Sequence, residues 1–334
     1  MQQAYDLFLF IGQSNMAGRG VSSPRWPEGA PELTPGAGFE YRSVSAPEQL
    51  FPIQEPFGAA ENDPNGIFEP GMKTGSLVTA FVNAYYAQTH TPIIGVSASK
   101  GGSAISAWQG QNDYLSDALA RLQRAQCYMQ QHGLPLRHCF ALWCQGETDG
   151  DLGTPAPVYR QKMEQTLEKL HHAGVETCFL ITIGEYNGPH GYDYAPIRRV
   201  QLEMAESLPG LEPVCDLFHT MRAKGLMKDD FHYYQAAYNQ VGTAAGAAAA
   251  RFVQNDTAFK KMKERRQLLF GRYPDPYTRS ENYLLPFQRR RAVPPSAGLT
   301  QKSPTPKYGV GLFLVDPEGF EPLTSAMRTQ RSPN

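Results

Sequence analysis

The chain has 334 residues, of which 41% are hydrophobic and 19% are charged, and its formal net charge at pH 7 is -1. This is the composition of an ordinary globular protein, and a charge so close to zero gives no general attraction to nucleic acid or to an anionic membrane. No run approaches the ~20 consecutive apolar residues that a transmembrane helix requires, so we expect no membrane span.

The amino terminus lacks the basic stretch, apolar core and small-residue cleavage site of a secretory signal. The chain has five cysteines, an odd number without any Cys-x-x-Cys pair, and four of them lie in or beside apolar runs. We therefore expect buried, reduced thiols, no disulfide framework and a cytoplasmic location. One of them, Cys144, adjoins a conspicuous polar motif, but no sequence feature marks it as a nucleophile.

Short apolar runs alternate with amphipathic segments of helical length, which predicts a mainly parallel sheet with helices on both faces. The predicted strands are residues 7–11, 92–97, 139–144, 177–183 and 213–217. The predicted helices are residues 75–88, 113–131, 155–172, 194–207 and 233–252. A segment from about residue 19 to residue 73, rich in Pro, Gly and aromatic residues, is too long for a simple connection and is predicted to be a functional loop or an insertion.

Four polar motifs punctuate this pattern. They are GQSNMAG at 12–18, SKGGS at 99–103, QGETD at 145–149 and KDDFH at 228–232. The first three each follow a predicted strand, and the carboxyl ends of parallel strands meet at the edge of a sheet where sites form. We therefore expect the first three motifs to lie together at that edge.

Ser14 is the predicted nucleophile, since a buried strand that ends in a small-residue turn presents its hydroxyl at the sheet edge. A serine hydroxyl is too weakly acidic to attack an ester unaided, and His232 is the predicted base. Asp229 precedes this histidine by three residues and can orient its ring. Asp230 is a competing carboxylate, His219 is a rival base, and capping of the next helix is the alternative role for either aspartate.

Taken together, the four motifs resemble the conserved blocks of the SGNH hydrolase superfamily over residues 5–250. More narrowly, they resemble its carbohydrate-esterase branch of sialate O-acetylesterase-like and acetylxylan-esterase-like proteins. The resemblance implies a three-layer α/β/α sandwich with a mainly parallel, five-stranded, flavodoxin-like sheet. The D-x-x-H spacing of the family selects Asp229. The resemblance also implies an oxyanion hole formed by the backbone N–H groups of Ser14 and Gly102 and the side-chain amide of Gln145. Many superfamily members have Asn where this chain has Gln145, whereas the carbohydrate-esterase branch has Gln.

Four further polar residues of the motifs are expected to support the loops by hydrogen bonding, namely Gln13, Asn15, Glu147 and Asp149. A glycosidase with Glu147 as the acid of a carboxylate pair is the alternative mechanism. No spacing of His, Cys, Asp and Glu resembles a zinc site, so we expect neither a metal nor another cofactor.

The resulting hypothesis is a serine esterase that removes O-acetyl groups from a small carbohydrate through an acyl-enzyme intermediate. A general short-chain esterase or thioesterase, or a catalytically silent carbohydrate-binding relative, are the alternatives. Trp26, Trp108 and tyrosines of the long segment are candidates for a sugar-stacking platform. No nucleic-acid or membrane partner is expected, and the sequence does not predict the oligomeric state.

The carboxyl-terminal part differs in character from the rest. We predict an esterase domain at residues 1–255 and a disordered, dispensable tail at 256–334, which is rich in Pro and has a net charge of +7 (14 Lys and Arg against 7 Asp and Glu). A basic cluster at 289–291 is alternatively an RNA-binding or targeting patch. Residues 319–322 read GFEP, as the conserved T-arm of a transfer-RNA gene would if translated, so we hypothesise that the reading frame runs into such a gene.

Overall fold

The structure, a computed structural model, describes residues 3–21, 28–110 and 113–270. Its centre is one sheet with the strand order β3-β2-β4-β1-β5-β6-β7. The strands are β1 (Tyr5–Gly12), β2 (Gly38–Tyr41), β3 (Leu50–Pro52), β4 (Ile93–Ser99), β5 (Leu136–Cys144), β6 (Thr177–Ile181) and β7 (Leu211–Cys215). All neighbouring strands are parallel except β2 and β3, which are antiparallel.

Helices cover both faces of this sheet. They are α1 (Ser14–Ala17), α2 (Val78–Thr89), α3 (Tyr114–Gln131), α4 (Glu147–Asp151), α5 (Ala156–His172), α6 (Ala195–Ser207), α7 (Phe218–Met221), α8 (Gln235–Gln254) and α9 (Asp256–Phe270). The five predicted helices correspond to α2, α3, α5, α6 and α8, with ends that agree within three residues. Their amphipathic patterns were therefore sufficient to locate them.

The central strand β1 divides two hydrophobic cores. Leu7, Leu9 and Ile11 belong to the core beneath α3, α5 and α6, whereas Phe8 and Phe10 belong to the core beneath α2 and α8. Successive side chains of a strand point to opposite faces, and a strand covered on both faces must be apolar throughout. The arrangement is the predicted three-layer α/β/α sandwich, and the expected fold class is confirmed.

The predicted strand count of five is corrected, because the sheet has seven strands within the described residues. The five predicted strands form the contiguous order β4-β1-β5-β6-β7, which is the flavodoxin-like order. The additional strands β2 and β3 come from the long segment between α1 and α2 and extend the sheet beyond β4. They have only four and three residues, so their local sequence carries too few alternations to predict a strand.

The long segment is a docked part of the domain. Arg121 of α3 is fully buried, and its guanidinium donates to the carbonyl oxygens of Glu61 and Ile67 in the segment and of Ser97 in β4. Lys73 donates to the Ser97 hydroxyl at 2.9 Å, and burial lowers the pKa of Lys73 to about 8. These bonds satisfy polar groups that the segment brings into the interior.

The predicted start of the disordered tail is wrong for residues 256–270, which form α9. Phe259 of α9 is 7% exposed and packs edge-on against Phe140 and Phe252, and Lys263 forms an ion pair with Glu176. Phe259, Met262 and the buried Arg266 anchor this basic helix, and a charge-rich composition conceals such contacts. The remainder of the predicted tail, including residues 289–291 and 319–322, lies outside the described residues.

Within the described residues, no helix is long and apolar enough to cross a membrane. The five cysteines are free thiols, and all but Cys127 are buried.

Candidate active site

The serine turn begins at Gly12, the last residue of β1. Its φ is +146°, and a Cβ built there would lie 2.0 Å from the carbonyl oxygen of Cys144, so only glycine fits. The N–H of Gln13 donates to that same oxygen at 2.9 Å, after which Ser14 opens α1. Ser14 therefore lies at the carboxyl end of the central strand, and it is 6% exposed.

The aspartate–histidine pair occupies a short hairpin closed by a bridge between Met227 and Tyr233. Asp229 accepts the backbone N–H groups of Phe231 and His232 at 2.9 and 2.7 Å, and its other oxygen lies 3.0 Å from Nδ1 of His232. Burial acts to raise the pKa of Asp229, but these hydrogen bonds and the histidine charge hold that pKa well below its usual range. An ionised carboxylate thus fixes the orientation of the imidazole.

Asp230, the competing carboxylate, points elsewhere. A Cβ built on Gly188 would lie 2.5 Å from its Oδ2, which places Asp230 against the loop that follows β6. Neither aspartate caps α8, because that helix begins at Gln235 and its N-cap residue is Tyr234.

Asn15 joins the serine turn to the other motifs. Its amide nitrogen donates to Oε1 of Glu147 at 2.6 Å and to the carbonyl oxygen of Phe231 at 3.2 Å, and its oxygen accepts from the Tyr238 hydroxyl at 2.7 Å. One side chain therefore holds the residue after the predicted nucleophile against the residue before His232. Gln13 adds a second tie, since its Oε1 accepts the N–H of Gly146 at 3.1 Å.

Glu147 and Asp149 both hold loops together. Asp149 accepts the backbone N–H of Ile105 at 2.8 Å and the Thr154 hydroxyl at 2.9 Å. Burial raises the pKa of Glu147, while the bond from Asn15 and the charge of His232 lower it in part. Glu147 is only 2% exposed, which leaves it no surface from which to protonate a glycosidic oxygen.

The glycine turn after β4 lies beside the serine. A Cβ built on Gly101 would lie 3.4 Å from the Cβ of Ser14, whereas one on Gly102 would meet open space. Gly102 has φ +65°, a conformation that would be strained for a residue with a side chain. The open space beside it lets a ligand approach its backbone. The neighbouring N–H of Gly101 is already donated to Oε1 of Glu69 at 2.6 Å.

Glu69 and Arg19 were not predicted. Arg19 donates to the same Glu69 oxygen at 2.7 Å, and the two side chains are 8% and 4% exposed. Both lie outside the motifs, and only the fold brings the long segment beside the glycine turn. No local signal in the sequence marks them.

The side chain of Gln145 makes more hydrogen bonds within the protein than an oxyanion donor needs. Its amide nitrogen donates to the carbonyl oxygen of Ser103 at 3.0 Å and to Oδ2 of Asp149 at 2.5 Å, while its oxygen accepts from the Tyr159 hydroxyl at 3.1 Å. A carboxamide has two N–H groups, and both are donated within the protein. In this conformation Gln145 fastens the glycine turn to α4, and its oxyanion role stays a prediction that requires one of these bonds to exchange.

The other candidate residues fall outside the site. His219 bonds through Nδ1 to the backbone oxygen of Asp216, whose carboxylate is paired with Arg198. Cys144 is fully buried, and burial raises its pKa well above the usual range, which makes the thiol unreactive. Trp108 is also fully buried, so the predicted stacking role is wrong for it, and Trp26 lies outside the described residues.

Across residues 3–21, 28–110 and 113–270, no group of three or more His, Cys, Asp or Glu side chains is placed to hold a metal ion.

The sandwich, with a serine at the end of its central strand and a carboxylate-bound histidine, defines the class of SGNH-type hydrolases. A protein of Arabidopsis thaliana shares this fold with a TM-score of 0.56 and 22% identity, over 75% of this chain and 98% of its own. A carbohydrate acetylesterase from Xanthomonas citri matches at 19% identity over 74% and 56% of the two chains, with a TM-score of 0.46. An acetyl-xylooligosaccharide esterase from Geobacillus matches at 13% identity over 73% and 93%, with a TM-score of 0.42.

The chain belongs to the family of carbohydrate esterases described as sialic acid-specific acetylesterases, whose model matches residues 4–251. It is thus a carboxylic ester hydrolase of the carbohydrate acetylesterase type, as its motifs indicated. No protein of curated function matches the sequence.

Proposed function

We propose that this chain removes O-acetyl groups from carbohydrates through Ser14, His232 and Asp229. The observation that carries the proposal is the Asn15 side chain, which ties the serine turn directly to the aspartate–histidine hairpin. Because Asp229 is bonded to Nδ1, the ring keeps Nε2 for the serine.

In the first half-reaction, Nε2 of His232 takes the proton of the Ser14 hydroxyl as Oγ bonds to the acetyl carbonyl carbon. The tetrahedral intermediate collapses, the C–O bond to the sugar breaks, and the sugar oxygen leaves with the proton held by His232. In the second half-reaction, water gives a proton to His232 and attacks the acetyl-serine. Acetate is released, and the proton returns to Ser14.

The negative oxygen of each intermediate requires donors placed in advance, and the loss of one costs ~10²–10³ in kcat. The backbone N–H groups of Ser14 and Gly102 are the proposed donors, and the open space at Gly102 supports this assignment. The Gln145 amide is the proposed third donor once its bond to Ser103 or Asp149 exchanges.

The test is acetate release from p-nitrophenyl acetate, 9-O-acetyl-N-acetylneuraminate and acetylated xylobiose. Ser14→Ala is expected to lower kcat by about 10³ or more, as removal of a serine nucleophile does, and acetyl-serine should be detectable by mass spectrometry of the quenched wild type. Ser106→Ala, at an exposed position near the glycine turn, is the control and should retain full activity.

Turnover of p-nitrophenyl acetate alone would indicate a general short-chain esterase. Sugar binding without Ser14-dependent turnover would indicate a silent relative.

A further inference from the structure

A row of aromatic rings extends outward from the proposed base. The ring of Phe231 lies 6.0 Å from that of His232 and 5.5 Å from that of Tyr186, and Tyr186 lies 4.9 Å from Tyr192. Tyr186 is 6% exposed, whereas Tyr192 is 39% exposed and Phe231 is half-buried. Two of the rings are therefore partly exposed in the neighbourhood of the proposed base.

The loop that carries the two tyrosines has a defined conformation. The N–H of Asn187 donates to the backbone oxygen of Asp230 at 3.0 Å, and the N–H of His190 donates to the Tyr186 hydroxyl at 3.3 Å. At the end of the loop, the Tyr194 hydroxyl donates to Asp151 at 2.6 Å. A loop fixed in this way loses little conformational entropy when a ligand is bound.

The charged and titratable groups beside the rings are the carboxylates of Asp230 and Asp151 and the imidazoles of His190 and His232. A Cβ built on Gly188 would lie 2.2 Å from the Tyr186 hydroxyl and 2.5 Å from Oδ2 of Asp230, which places this carboxylate beside the ring. Burial raises the pKa of Tyr186, the hydrogen bond from the His190 N–H lowers it in part, and the charge of Asp230 raises it further. Lys228, the nearest cation along the chain, donates instead to the backbone oxygen of Arg19. In the part of the chain that the structure describes, neither Asp230 nor Asp151 forms an ion pair.

We propose that Tyr192, Phe231 and Asp230 form a subsite for an uncharged sugar ring. The C–H face of a pyranose packs against the aromatic rings, and its hydroxyl groups donate to the Asp230 carboxylate. A sugar carboxylate at this position would face unpaired negative charge and is disfavoured. This inference rests on the proposed function and narrows its substrate to neutral acetylated saccharides.

The first test separates the sugar subsite from the chemistry. Tyr192→Ala is expected to raise KM for acetylated xylobiose ~10-fold and to leave kcat/KM for ethyl acetate within about two-fold, because ethyl acetate has no sugar face. Tyr192→Phe keeps the ring and should behave as wild type, and Leu268→Ala, 87% exposed on α9, is the remote control. An unchanged KM, or an equal loss on both esters, would overturn the subsite.

The second test concerns charge. Wild type is expected to favour acetylated xylobiose over 9-O-acetyl-N-acetylneuraminate, and Asp230→Asn should shift the ratio of the two kcat/KM values several-fold toward the anionic sugar. The ratio cancels any effect of the substitution on the adjacent His232. A ratio that does not move would contradict the role of Asp230.

Failure of the proposed function gives a different result, namely no Ser14-dependent hydrolysis of ethyl acetate at all. In that event, calorimetric titration of Ser14→Ala with xylobiose still tests the subsite. Binding that Tyr192→Ala abolishes would support it, and binding unaffected by Tyr192→Ala, or no binding, would overturn it.

Discussion

At the scale of single residues, Asn15 organises the site. It donates to Glu147 and to the carbonyl oxygen of Phe231 and accepts from Tyr238, so one amide serves three distant parts of the chain. An aspartate has no N–H to donate, and the longer glutamine would displace the contacts. The identity of the residue after Ser14 is therefore determined by its neighbours, independently of the chemistry.

Glu147 gives a prediction for the pH dependence of stability. The pKa of Glu147 is higher in the folded protein than in the unfolded chain, so on raising the pH the unfolded chain loses this proton first. The free energy of unfolding therefore falls as the pH rises from the unfolded-state pKa to the folded-state pKa. Glu147→Gln has no such titration and still offers an oxygen to Asn15. We therefore expect the free energy of unfolding of Glu147→Gln to rise relative to that of wild type across this range. Urea unfolding between about pH 4 and about pH 8 measures this difference.

The control for this experiment is Glu203→Gln, at an exposed position on α6. Its stability difference from wild type should show no comparable trend with pH. If Glu147→Gln and Glu203→Gln gave the same pH profile, Glu147 would not be the titrating group.

At the scale of elements, the inserted segment between α1 and α2 supports the proposed oxyanion hole from outside the motifs. Glu69 accepts the N–H of Gly101 and is paired with Arg19. Hydrogen bonds from Arg121 and Lys73 hold the segment independently of the site, and they therefore fix the position of Glu69.

Glu69→Ala is expected to lower kcat by ~10–10², since a small displacement of a positioned group costs about this much. It should also lower the free energy of unfolding by about 3–5 kcal/mol, because Arg19 then lies buried without its partner. Glu69→Gln retains an acceptor for Gly101 and should keep most of kcat while losing stability. Glu48→Ala, exposed in the same segment, is the control. Equal kcat values for Glu69→Ala and Glu48→Ala would refute the positioning role.

The sequence predicted the elements whose signals are local. The apolar run before Ser14 and the Asp229–His232 spacing depend on neighbouring residues, and both were located before the fold was known. The short strands β2 and β3 were missed because their stability comes from pairing at the edge of a sheet. The Glu69–Arg19 pair was missed for a related reason: its members meet Gly101 only through tertiary packing.

At the scale of the whole molecule, helix α9 and the proposed catalytic residues lie at opposite ends of the strands. Helix α9 packs near His138, at the start of β5, and Glu176, just before β6. Ser14 and the glycine turn lie at the carboxyl ends of β1 and β4. A change in α9 should therefore affect folding without altering the reacting groups.

A chain ending at Asn255 should lose about 3 kcal/mol or more of unfolding free energy, the usual cost of removing a buried Phe such as Phe259. A chain ending at Phe270 should match the full-length protein in thermal unfolding. Both should retain full-length kcat on p-nitrophenyl acetate at temperatures where they are folded. Equal melting temperatures for the two truncations would show that α9 contributes nothing to stability.

The closed hairpin around Asp229 and His232 makes their pairing a local property of the chain. Because His232 and Asp229, the proposed base and its orienting acid, are bonded within one short loop closed by the Met227–Tyr233 bridge, their relative position does not depend on the length of other loops. The bond from Asn15 to the carbonyl oxygen of Phe231 then sets where this loop lies relative to Ser14. An insertion in another surface loop should therefore leave the Asp229–His232 hydrogen bond unchanged.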